Sequence, residues 1–222
     1  MVVDLETIYK RRFRGEEEFR NKMWQILCND FFQKYIPKDA TVLEIAAGYC
    51  EFINNISAKR KIALDLNPDI KNYAKEEVET IGSSSTDMRQ IKDYSCDIVF
   101  ISNFFEHLSK EDILITLREA YRVLKTGGKI LILQPNIRFC YKDYWNFFDH
   151  VCPLDDKSLT EVLEINNFKI IKLIPKFLPY STKSKFLKAT FLIKLYLKFP
   201  ILYQIFGKQT FICAQKIIHK TF

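Results

Sequence analysis

The sequence lacks any long apolar run; none approaches the roughly 20 uninterrupted apolar residues of a membrane-spanning helix. It has no Cys-x-x-Cys pair. The six cysteines, Cys28, Cys50, Cys96, Cys140, Cys152 and Cys213, are scattered, and no histidine stands at ligand spacing from them. No metal is therefore expected, and the cysteines read as reduced, buried thiols. No internal repeat or low-complexity tract occurs. The densely charged first twenty residues contain no apolar secretory region, so a cytoplasmic protein is expected. Arginine is absent after Arg138, and acidic residues are absent after Glu164.

That last absence unmasks a charge asymmetry. The formal net charge of +7 arises entirely from residues 165–222, which carry 11 lysines and no acid. Residues 1–164 hold the other 23 of the 34 basic residues against all 27 acidic ones, a net of −4. A lysine block of this kind suits an anionic lipid surface or an acidic substrate, or forms a plain solvated face. Hydrophobic content of 48% and charged content of 27% exclude global disorder, and 222 residues suit one domain.

Apolar periodicity predicts a helix from about Glu16 to Tyr35, ended by Ile36-Pro37. Thr41 to Ile45 reads as a strand stopping at Ala46-Ala47-Gly48, followed by a helix from Phe52 to Ala58. A second strand, Lys61 to Leu66, closes on Asn67-Pro68. A weak helix over 71–76 and a poorer strand from Val78 to Ile81 follow. Asp97 to Ile101 is a strand of the doubly buried type. Ser109 opens a capped helix to about Leu124, Thr126-Gly127-Gly128 turns the chain, and Lys129 to Gln134 is the fifth strand. Asp155 or Asp156 caps a helix through Leu163. Phe168 to Ile174 and Gln209 to Ala214 are the final strands. Between them, Phe186 to Phe206 reads as an inserted helical element. Alternating strands and helices predict an α/β fold, a sheet covered by helices on both faces.

In such a sheet ligands bind beyond the carboxyl ends of the strands. The first strand exits through Val42-Leu43-Glu44-Ile45-Ala46-Ala47-Gly48-Tyr49-Cys50-Glu51-Phe52. Asp65 lies 21 residues after Glu44, at the exit of the second strand. A carboxylate there can accept from both hydroxyls of a ribose, or merely cap the turn before Asn67-Pro68. A pyrophosphate cradle wants Gly-x-Gly-x-x-Gly, and only Gly48 remains here, so a nicotinamide dinucleotide is poorly supported.

Residues 42–52 resemble the first motif of the seven-stranded S-adenosylmethionine-dependent methyltransferases. Asp65 matches that family's ribose-binding acid, and Ser85-Thr86-Asp87-Met88 resembles its turn after the third strand. Cys96 to Leu108 is similar to its fourth-strand motif, and Leu117 to Gly128 to the helix and turn that follow. Five motifs in register, over residues 40 to about 135, imply a Rossmann-like mixed seven-stranded sheet with a helical N-terminal segment and a helical insertion before the last strand. They imply a single methyltransferase domain over 1–222. Within it, 1–37 is the helical segment, 38–135 the cofactor-binding core and 136–222 the substrate side, with the insertion at about 175–208.

S-adenosyl-L-methionine is the cofactor implied. Its implied contacts are Glu44, Ala46, Gly48, Tyr49, Phe52, Asp65, Leu66, Asp87, Met88 and Asn103. The family's Gly-x-Gly-x-Gly is Ala-Ala-Gly-Tyr-Cys here, and Cys50 is awkward wherever positive φ is required. His107 matches a histidine common after the fourth strand and reads as packing and capping.

Six of the twelve residues from 139 to 150 are aromatic, good walls against rings. Phe104, Asn136, Tyr141 and Trp145 are the candidate acceptor contacts. Asp149 beside His150 is the candidate acid–base pair, with His150 as general base toward a hydroxyl; the alternative is a histidine packed in an aromatic lid. Residues 134–184 resemble bacterial methyltransferases of surface-glycan assembly, which implies O-methylation of a sugar or lipid-linked sugar. The lysine-rich apolar insertion would then contact the membrane peripherally. The rival readings are an RNA methyltransferase, disfavoured by the absence of arginines from the basic segment, and a non-catalytic cofactor-binding scaffold.

Overall fold

The computed structural model describes residues 15–180 and 190–218. Seven strands form one sheet in the order β3-β2-β1-β4-β5-β7-β6. They are β1 (Thr41–Ile45), β2 (Arg60–Asp65), β3 (Val78–Gly82), β4 (Cys96–Ser102), β5 (Leu124–Pro135), β6 (Phe168–Ile174) and β7 (Gln209–Lys216). The first five run parallel, and β7 is antiparallel to both β5 and β6. Chain order reverses between β1 and β4, and at that switch point a crevice opens beyond the strand ends.

Period-two alternation splits the central strands into two cores. Val42, Ile98, Phe100, Leu131, Phe211 and Cys213 face one side. Helix α1 (Glu17–Asp30), helix α2 (Glu51–Asn55) and the pair α6 (Thr190–Lys198) and α7 (Ile201–Phe206) cover it. Aromatics dominate this face: Phe52 stacks on Phe100 at 3.6 Å, and Trp24 meets both edge-on. Leu43, Ile45, Val99, Ile101, Ile130 and Ile132 face the other side, under α3 (Lys110–Val123) and α5 (Asp156–Ile165). Each fully buried large side chain contributes about 1.5–3 kcal/mol. The sheet is therefore a rigid base from which the turns at its edge project.

The caps follow the sequence. Ser109 Oγ accepts from Asp112 N at 3.1 Å, and Asp155 forms a reciprocal capping box with Ser158. Several elements differ from expectation: α1 ends at Asp30, with a 3₁₀ turn over Phe32–Tyr35, and α2 ends at Asn55 rather than Ala58. Strand β5 starts at Leu124 rather than Lys129: Leu124 pairs with Cys96, and the register then shifts so that Lys129 meets Ile98. Gly127 takes φ +74°, and a Cβ on Gly128 would stand 2.9 Å from Lys125 O, so the glycine pair forms an irregularity inside the strand instead of a turn before it. The expected helix over 71–76 is a 3₁₀ turn, Pro68–Asn72, pulled earlier by Asn67, whose side chain accepts from Asp69 N. The aromatic stretch contains an unexpected helix, α4 (Ile137–Tyr144), started by Asn136. Residues 1–14 of the expected N-terminal segment and 181–189 of the insertion lie outside the described residues.

Candidate active site

The turn after β1 bends sharply. Ala46 (φ 57°), Gly48 (φ 52°) and Cys50 (φ 57°) all take the left-handed conformation, so the backbone of an alternating glycine loop persists with alanine and cysteine at two of its positions. Asp65 holds this turn in place. Its Oδ2 accepts from Gly48 N and its Oδ1 from Asn67 N, both at 2.8 Å. Each carboxylate oxygen offers two lone pairs, so acceptor capacity remains for a ligand's hydroxyls. A Cβ on Gly48 would meet nothing within 4 Å; the turn borders open space there.

That space is a cavity of about 260 Å³. Among the residues expected at the cofactor, Glu44, Ala46, Gly48, Tyr49, Phe52 and Asn103 line it. Glu44 Oε2 accepts from Ile53 N at 3.0 Å, tying β1 to α2. Burial pushes the Glu44 carboxyl well above the usual range; the Ile53 N–H opposes this, and the Glu51 and Asp65 carboxylates add to it. Asn103 holds φ 46°, a conformation asparagine tolerates. Asp65 and the exposed Leu66 are not among the lining residues, although Asp65 bonds the lining residue Gly48.

Other expected residues are placed elsewhere. The Met88 side chain is fully buried in the second core, so it presents no side-chain surface to a ligand. The Asp87 carboxylate grips Arg89 at 2.7 Å through two nitrogens, and that hydrogen bond lowers its pKa. Asn136 is structural. Its Nδ2 donates to Asp156 Oδ1 at 2.7 Å, to Thr210 Oγ1 at 2.9 Å and to Pro175 O at 3.2 Å, while its Oδ1 accepts from Arg138 N. Tyr141 and Trp145 point outward from α4, 60% and 59% exposed, and neither lines the cavity. Phe104 is half-buried against the second core.

The acid–base residues are also arranged differently. Asp149 serves His107: its Oδ2 lies 3.3 Å, and its carbonyl oxygen 3.1 Å, from His107 Nδ1. His150 packs face-on to Phe147 and edge-on to His107, each at 5.0 Å. Backbone geometry brings these segments together, because the Glu106 carbonyl accepts from both Val151 N and Cys152 N. Glu106 itself is buried, receives Gln134 Nε2 at 2.8 Å, and has its carboxyl raised by that burial. Glu106, His107 and His150 all line the cavity and together form a polar cluster.

The C-terminal region expected on the substrate side contributes Leu178, Tyr180, Ile193 and Tyr196 to the lining, whereas helix α1, which contributes Phe19, Arg20, Met23, Trp24 and Leu27, was not anticipated at the site. Arg20 makes a two-pronged pair with Glu51 that joins α1 to α2 beside the cavity, with Nε at 2.8 Å from Oε1. An arginine in a charged first helix carries no signal of this; its partner lies 31 residues away.

Comparison with known proteins agrees with this fold. A family model described as a methyltransferase domain matches residues 43–132. An S-adenosylmethionine-dependent methyltransferase from Archaeoglobus fulgidus is similar in structure, with a TM-score of 0.68 and 22% identity over 96% of this chain and 100% of that one. One from Thermotoga maritima gives 0.67 and 16% over 95% of each chain. Geranyl diphosphate C-methyltransferase from Streptomyces coelicolor A3(2), solved with Mg²⁺, geranyl diphosphate and S-adenosyl-L-homocysteine, gives 0.60 and 13% over 85% of this chain and 76% of that one. No curated protein matches the sequence.

Proposed function

We propose that this chain, by domain and fold an S-adenosylmethionine-dependent methyltransferase, methylates a hydroxyl on a small molecule with an apolar body. The carrying observation is that one cavity is lined by three groups: Glu44, Ala46, Gly48 and Asn103 of the strand-end turns, the polar cluster Glu106, His107 and His150, and the apolar side chains Met23, Trp24, Leu27, Leu178 and Ile193.

S-adenosylmethionine supplies the methyl group as a sulfonium, so the protein's task is chiefly alignment. Asp65 would take the ribose hydroxyls while its bonds to Gly48 N and Asn67 N hold it in place. The Arg20–Glu51 pair, both residues lining the cavity, ties α1 to α2 beside it. The acceptor hydroxyl would face the histidines. His150 takes its proton as general base, and Asp149 orients the neighbouring His107 through Nδ1. An apolar wall favours acceptors with few hydroxyls; a lipid-linked sugar, rather than a free one, fits both the wall and the sequence resemblance.

The outer face of the C-terminal helices supports delivery of such a molecule from a membrane surface. Ile193 and Tyr196 of α6 line the cavity. On the same helix pair Phe191, Phe199, Ile201, Ile205 and Phe206 are exposed, with Lys194 and Lys198 exposed among them. Lysines beside apolar bulk mark an interfacial helix. Among the described residues no helix is long and apolar enough to cross a membrane.

The test is methyl transfer from labelled S-adenosylmethionine to pools of amphiphilic alcohols, lipid-linked sugars, free sugars and RNA. Labelling of the first two pools, lost in His150→Gln, is expected. Labelling of RNA alone, or turnover undiminished in His150→Gln, contradicts the reading. Co-sedimentation with anionic vesicles, weakened by salt, tests the surface contact; absence of binding at low salt refutes it.

A further inference from the structure

We propose that Glu106, His107 and His150 form a site for a divalent transition-metal cation in the lining of the cavity. One ligand atom from each, a carboxylate oxygen and two imidazole nitrogens, lies within 4.8 Å of the others. Bond lengths near 2.1 Å place neighbouring ligands about 3–3.5 Å apart, so rotations of the order of 1 Å close the set. Two imidazoles and one carboxylate on one side of an ion leave its remaining positions open, and that donor set selects zinc, iron, cobalt or manganese over magnesium and calcium.

The surroundings already orient the ligands. Asp149 engages His107 Nδ1, which leaves Nε2 as the binding nitrogen, 3.9 Å from Glu106 Oε1. The Asp149 carbonyl oxygen takes Nδ1 at 3.1 Å with its carboxylate at 3.3 Å, and a carbonyl or carboxylate partner on the second ring nitrogen is how metal-bound histidines are oriented. Gln134 Nε2 donates to Glu106 Oε2 and leaves Oε1 toward the histidine. The carbonyl of Glu106 fixes the loop that brings His150 across, through Val151 N and Cys152 N. All three ligands line the cavity, so the open positions face an incoming acceptor.

The existence of the site is independent of the acceptor chemistry proposed above; only its use rests on that reading. A hydroxyl bound to the ion becomes more acidic and gives its proton to solvent water, in place of the direct transfer to His150 proposed above.

The test uses the full chain without a histidine tag, stripped with chelator and titrated with Co²⁺ by absorption and with Zn²⁺ and Mg²⁺ by calorimetry. We expect one equivalent of Co²⁺ or Zn²⁺, nitrogen–oxygen spectra without a thiolate band, and at least 100-fold weaker Mg²⁺ binding. Affinity should fall at least tenfold in His107→Gln and in His150→Gln, with circular dichroism unchanged. Absence of stoichiometric binding by the wild type, a thiolate band, or affinity unchanged in both histidine variants overturns the site. S-adenosylhomocysteine binding is measured on the same preparation. Cofactor bound without metal removes the metal site alone; metal bound without cofactor leaves the site and removes the function proposed above.

Discussion

Replacing Ala46 by glycine should stabilise the protein. Ala46 sits at φ 57°, where a Cβ crowds the following carbonyl. That conformation costs an L-residue about 1–2 kcal/mol, and glycine avoids it. Glycine in turn loses about 0.5–1 kcal/mol more backbone entropy on folding than alanine. The net gain is about 0.5 kcal/mol, or a rise of about 1–2 °C in Tm for a chain of this size. Cys50 holds the same φ of 57°, but its thiol is fully buried. Cys50→Gly would gain the same relief and lose about 1–2 kcal/mol of buried volume, for a net change near zero or below. Ala46→Val, with a branched Cβ at positive φ, should cost more than about 2 kcal/mol. Urea denaturation at constant m-value reads all three. The reasoning fails if Ala46→Gly destabilises by more than about 0.5 kcal/mol, or if Cys50→Gly stabilises more than it does.

Three further substitutions separate structure from function. Glu44 has a folded pKa raised above its ordinary 4.5, so its contribution to stability is fully present below pH 4.5 and declines as pH rises through the folded value. Glu44→Gln, which can still accept from Ile53 N, should gain stability over the wild type increasingly from pH 4.5 upward; a gap that shrinks with pH refutes the shift. Asn136→Ala should cost about 1–3 kcal/mol by removing the buried amide's bonds to Asp156 and Thr210, which keep Arg138 and Pro175 O as partners, with cofactor affinity unchanged; a loss below about 0.5 kcal/mol contradicts the structural role. Gly207→Ala should destabilise by about 2 kcal/mol or more, because its Cβ would stand 2.5 Å from Tyr203 O and 2.6 Å from Lys176 C; a neutral effect in urea melts is the contrary result.

The turn after β1 and its link to Asp65 were legible because their signals are local. An apolar run ending at Ala46-Ala47-Gly48 marks a strand and its turn, and the spacing to Asp65 marks the neighbouring strand. The bond from Gly48 N to Asp65 Oδ2 expresses that spacing. The cluster around His107 and His150 was less legible because its contacts are tertiary. Asp149 and His150 are adjacent in sequence, yet the Asp149 carboxylate meets His107, which precedes it by 42 residues. Nothing local reveals that the Glu106 carbonyl captures the 151–152 backbone. The aromatic run misled for the same reason: helix α4 turns Tyr141 and Trp145 to solvent and buries Tyr144, and periodicity over 8 residues is too short to show which face turns inward. The lysine block also resolves only in three dimensions. Lys194 and Lys198 are exposed, whereas Lys216 is buried and donates to Tyr121 O and Leu124 O.

Calorimetric titration of the purified chain with S-adenosylhomocysteine tests the central claim most directly, with Asp65→Asn as its partner. One equivalent should bind the wild type. Asp65→Asn should bind about 10–100-fold more weakly, the loss of charged hydrogen bonds worth about 1.5–3 kcal/mol. A wild-type chain that takes up no nucleoside, or an Asp65→Asn chain that binds it equally well, contradicts the account.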